Sequence, residues 1–121
     1  MDKAQAIDQF WNNFNIPAYD ENTVPFDAVL PYITYNVRIA PFDTKSTLTA
    51  SIWYPTYSWK DATNKADEIS EWVSRNRKMN LDNGYLWFDR DSFISQRMAD
   101  SVNPPVRRIY VSVDAEFLTE Y

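Results

Sequence analysis

Three carboxylate pairs are the first residues in this sequence whose types and spacing suit chemistry: Asp20-Glu21, Asp67-Glu68 and Asp89 with Asp91. Two carboxyl groups, one protonated and one ionised, are what a glycosidase needs. Asp114 and Glu116, two residues apart on one strand face, carry the oxygen donors that a hard cation takes. Each has a plainer reading as solvated charge, because carboxylates stay at the surface unless paired. The first pair falls in a turn-rich segment and the second on the polar side of a helix.

The rest of the chemistry is removed by what is missing. The 121 residues include no histidine, no cysteine and one glycine. That excludes a Ser-His-Asp triad, a thiolate nucleophile and the usual zinc, copper and haem ligand sets. It also excludes a phosphate-cradling P-loop, a GxGxxG turn and any disulfide. No nucleophile, matched base and oxyanion site come together, so the expectation is a protein that is not an enzyme and holds no cofactor or metal. The net charge of −5 opposes tight binding of nucleic acid phosphates. Arg75, Arg77 and Lys78 read as complements to a helix dipole, and Arg107-Arg108 as strand-edge protection. No stretch approaches the ~20 apolar residues of a membrane span. Met1 to Ile7 has mixed charge and no apolar signal core. Association with a membrane is not expected.

Aromatic residues are in excess. Five Trp, eight Tyr and seven Phe make 17% of the chain. So many rings in a small domain imply some at the surface, where aromatic side chains anchor interfaces.

The elements that would position these residues follow from periodicity. Ala4, Ile7, Trp11 and Phe14, widened by Phe10, predict an amphipathic helix over 2–15, stopped before Pro17. Residues 16–31, with Pro17, Pro25 and Pro31, predict an extended arm. Alternation predicts strands over 32–39 and 47–57 with a hairpin loop at 40–46, and Pro55 marks an edge or bulge. Ala62, Ala66, Ile69 and Val73 predict a second helix, capped by Ser58 with Asp61. Asp82-Asn83-Gly84 predicts a hairpin with a type I′ turn and a return strand over 85–89. A short strand follows over 93–98 and a loop over 99–106. The last strand, 108–118, buries Ile109, Val111, Val113, Ala115 and Phe117; its length implies a central position or an intersubunit extension. The sum is one α+β domain over 1–121, a mostly antiparallel sheet with two helices on one face.

The order of motifs resembles a known family. Pro31-Tyr32-Ile33-Thr34-Tyr35, Leu48-Thr49-Ala50-Ser51-Ile52-Trp53-Tyr54, Lys65-Ala66-Asp67-Glu68-Ile69 and Asp82-Asn83-Gly84-Tyr85-Leu86-Trp87 are similar to segments of the tail terminator, or tail completion, proteins of long-tailed DNA bacteriophages. Gln96-Arg97-Met98 and the strand 107–119 continue the resemblance. It implies a tail-terminator-like fold and a structural role in the virion neck. There, a hexameric ring would cap the tail tube, contact the major tail tube protein and join a head-completion or connector protein. Assembly would take place in the host cytoplasm. DNA would pass through the lumen without sequence-specific binding, and six copies at −5 each would carry −30. Under that resemblance the contact candidates are Asp43 and Lys45 in loop 40–46, Tyr19 and Phe26 in arm 16–31, Trp53 and Tyr57, and Pro104 and Pro105 in loop 99–106. A different head–tail joining protein, a stopper or connector, is the nearest alternative. A small-ligand-binding α+β module is the next.

Overall fold

Asp2 starts the first element with a capping box. Its carboxylate accepts the Gln5 N–H at 2.8 Å, and its own N–H donates to Gln5 Oε1 at 2.9 Å. In the computed structural model, which describes residues 1–39, 41, 44–99 and 105–119, helix α1 runs Lys3–Trp11. It ends short of the expected Asn15. The reason is Asn12, whose side chain donates to the Asp8 carbonyl at 2.9 Å and accepts the Ala18 N–H at 3.0 Å. Asn15 then turns the backbone at φ 66°. Phe14 leaves the helix and is still fully buried.

The arm is not an arm throughout. Ala18–Asp20 forms β1, which pairs in parallel with β2, Tyr32–Tyr35. Parallel neighbours need a crossover of about a dozen residues. Residues 21–31 supply it, and that is why the connection is long. β2 stops at Tyr35 rather than Ile39, so Val37 and Ile39 leave the ladder. β3, Lys45–Tyr54, starts two residues earlier than expected and ends before Pro55, which cannot donate to a ladder. Lys45 and Ser46 are therefore strand, not loop.

Helix α2 spans Lys60–Asn76 and buries Ala62, Ala66, Ile69 and Val73, the expected stripe. The predicted capping box is absent. Trp59 occupies the cap position, and Ser58 Oγ accepts only the Lys60 N–H, at 3.1 Å. Arg77 closes the helix at φ 57°.

β4, Lys78–Leu81, and β5, Gly84–Phe88, form the predicted hairpin with a shifted turn. Leu81 pairs with Gly84, so Asp82 and Asn83 are the turn residues. Neither has positive φ, which rules out type I′. The glycine is needed for a different reason: Gly84 has φ 151°, and a Cβ there would lie 1.9 Å from the Leu118 carbonyl oxygen. A short 3-10 turn, Arg90–Ser92, leads into β6, Ile94–Met98.

β7, Arg107–Thr119, organises the sheet. On one side it pairs with β3 along its length. On the other side its C-terminal part pairs with β5 and its N-terminal part with β6. β5, the 3-10 turn and β6 thus form one interrupted strand, which accounts for the length of β7 by a central position. The order is β1-β2-β3-β7-β5-β4, strongly curled, antiparallel except for β1 and β2.

The core lies between the concave face and the two helices. α2 packs on β3 and β7, and α1 reaches β1 and β4. Much of the aromatic surplus is spent here. Phe10 contacts Trp11, Phe88 and Trp72 at centroid distances of 4.6, 4.7 and 5.4 Å. Trp11, Phe14 and Phe117 are also buried. Phe26, Tyr57, Tyr85 and Trp87 remain exposed, as the aromatic excess implied. No described helix is long and apolar enough to cross a membrane.

Candidate assembly surfaces

Strand alternation that buries Ile33, Leu48, Ile52 and Val111 against the helices turns their neighbours to the opposite face. Cross-strand register arranges that face in rows. Tyr32 stands opposite Trp53, Trp53 opposite Arg108, and Arg108 opposite Met98. The Arg108 guanidinium lies 5.0 Å from the Trp53 ring centre, and Trp53 Nε1 donates to Thr34 Oγ1 at 2.9 Å. Tyr19 packs edge-on against Tyr32 at 5.7 Å. At the far end Tyr85 and Trp87 are more than one-third exposed.

The edges of the sheet are not equivalent. At β1, Asn12 takes the Ala18 N–H, and the Asp20 carbonyl accepts the Thr23 N–H at 3.0 Å. The Ala18 N–H and the Asp20 carbonyl of that edge are thereby paired. At the β4 end the Met1 carbonyl accepts the Asp82 N–H at 3.0 Å. β6 differs. The Asp114 carbonyl accepts the Asp89 N–H at 2.9 Å, and the Asp114 N–H donates to Ser92 Oγ at 2.8 Å, so Asp114 addresses the β5–β6 side. Antiparallel alternation then joins Ser112 to Ile94, Tyr110 to Gln96 and Arg108 to Met98. It turns the backbone groups of Ser95 and Arg97 outward.

The contact candidates fall in separate places. Trp53 and Tyr19 belong to the row of rings on the uncovered face, and Trp53 is half-buried by its own neighbours. Tyr57 lies beyond β3, 74% exposed, with its carbonyl accepting from Arg107 Nε at 2.7 Å. Phe26 is fully exposed on the crossover. Lys45 lies 3.9 Å from Asp89 at the rim of a cleft that also takes in Arg77, Trp87, Asp91 and Asp114. Pro105 is half-buried before β7. Asp43 and Pro104 lie outside the described residues. Sequence reading missed Ile94 and Val29, 59% and 76% exposed. Ile94 was legible as an apolar residue in a weakly patterned strand, but its edge position depends on pairing.

The carboxylates do local work. Asp89 accepts the Asp91 N–H at 3.2 Å and caps the 3-10 turn. Thr47 Oγ1 donates to Asp114 at 2.7 Å. Among the described residues no group of three carboxylates is arranged to hold a metal ion. Among the described residues, the two displaced titrations belong to tyrosines near the helices. Burial, reinforced by a hydrogen bond to Asp8, pushes the Tyr35 hydroxyl well above its ordinary range. Burial also raises Tyr54, with Asp61 and Glu68 adding to it. Comparison of the sequence with protein-family models and with curated proteins gives no match.

Proposed function

We propose that this chain is a structural subunit of a phage neck, a tail terminator whose copies form a hexameric ring on the tail tube and join it to the head connector. The observation that carries this reading is apolar surface held out on fixed elements. The crossover presents Phe26 and Val29 at 103% and 76% exposure, between two strands that pin its ends. Exposed apolar side chains grouped on ordered backbone mark interaction sites. The motif order of the tail terminators adds the class of assembly. The acidic balance suits a ring that DNA must pass without adhering.

The test is reconstitution on purified tail tubes from the same genome, imaged by electron microscopy. Six-fold density closing the tube end supports the terminator role. Twelve-fold rings, or binding on the portal side, would assign the chain to another joining position. A lasting monomer whose tryptophan fluorescence is quenched by a small ligand would reject the neck role in favour of a binding module.

A further inference from the structure

The segment around β1 is acidic and arginines gather at the Met98 end of β6, whereas Asp89 and Asp91 precede its other end. β1 and its crossover stand at one end of the strand order, and β6 flanks β7 on the other side of β3. Residues 4–37 hold Asp8, Asp20, Glu21 and Asp27 and no lysine or arginine. On the β6 side, Arg97 and Arg107 each lie 5.0 Å from the Trp59 ring. Each side also exposes apolar groups: Phe26 and Val29 on the acidic side, Ile94 on the basic side.

We infer that copies of this chain meet head to tail, the acidic crossover of one copy seated on the β6 edge of the next, with Phe26 against Ile94 and Asp27 facing Arg97. Contacts between like sides are disfavoured. Crossover against crossover brings carboxylates together, and β6 against β6 brings the two Arg97 side chains onto one face of the joined sheet. Opposite sides attract, and a contact between unlike patches is heterologous, the kind that propagates and closes into a ring. β1 already has its Ala18 N–H and Asp20 carbonyl paired, so that side offers mainly side chains. The outward Ser95 and Arg97 backbone makes β6 the receiving edge. The inference rests on the ring reading above and supplies its lateral contact.

The absence of cysteine from the sequence makes the test direct. The full chain carrying both Phe26→Cys and Ile94→Cys is oxidised, in solution and on tail tubes, and run on denaturing gels. A ladder of covalent multimers ending at the ring number is expected, whereas each single substitution gives no ladder. Circular dichroism establishes that the variants are folded. Asp27→Arg and Arg97→Glu should each weaken self-association at least tenfold, and the two together should restore it. Dimers from either single-cysteine variant would show like sides in contact and overturn the proposal. Absence of the 26-to-94 link in both settings would also overturn it. Six-fold rings without that link would keep the neck role and reject this contact; the ladder without rings on tubes would do the reverse.

Discussion

Gly84 and Tyr35 show how single residues are fixed by what lies across the fold. Gly84 accommodates both a backbone angle that L side chains rarely adopt and the Leu118 carbonyl. Gly84→Ala should destabilise the protein by about 3 kcal/mol, since overpacking and backbone strain add; urea denaturation measures it. Tyr35 is buried, and its hydroxyl donates to Asp8. Its pKa is raised in the folded state, so its contribution to stability is whole below the unfolded value of about 10 and declines as pH rises beyond it. Tyr35→Phe should cost about 1 kcal/mol at neutral pH through the lost hydrogen bond. It should also flatten the fall in melting temperature above pH ~10. An equally steep alkaline limb in the variant would reject this assignment.

Among the elements, α1 illustrates how a helix too short to be stable alone is held by its contacts. Nine residues are marginal in isolation. The capping box fixes its start, and Phe10 locks it to Trp72 of α2 and Phe88 of β5. Lys65 of α2 adds a bond of 2.6 Å to the Phe14 carbonyl just beyond its end. Phe10→Ala should therefore cost about 3–5 kcal/mol, the range for a buried aromatic residue. Phe26→Ala should leave thermal stability within about 0.5 kcal/mol, as for an exposed position. Paired melting curves measure the contrast, and a large loss for Phe26→Ala would show that the crossover packs on its own subunit.

For the whole molecule, charge distribution matters more than net charge. A contact between an acidic side and a basic side weakens as ions screen it, because the screening length falls from roughly 14 Å near 50 mM salt to about 3 Å near 1 M. Self-association measured by sedimentation should decline over that range. Association that strengthens with salt would point to a mainly apolar contact, such as one between uncovered sheet faces.

Periodicity determined the element types. The stripe of α2, the alternation of β7 and the hairpin at 78–88 are local patterns that the fold keeps, although the turn shifts to Asp82-Asn83. The sequence also lacks the histidine and cysteine that a Ser-His-Asp triad, a thiolate nucleophile and the usual zinc, copper and haem sites need. Tertiary structure decided the rest, because pairing and burial are relations between distant segments. Nothing near Val37 or Ile39 told that the ladder would stop at Tyr35. Nothing near Ala18 told that it would lie parallel to Ile33 and make a crossover of the arm. The glycine read as a turn residue is held by a carbonyl 34 positions away. Composition implied that some rings lie at the surface; which ones do depends on which side of a helix or strand finds a neighbour, and only the assembled fold supplies those neighbours.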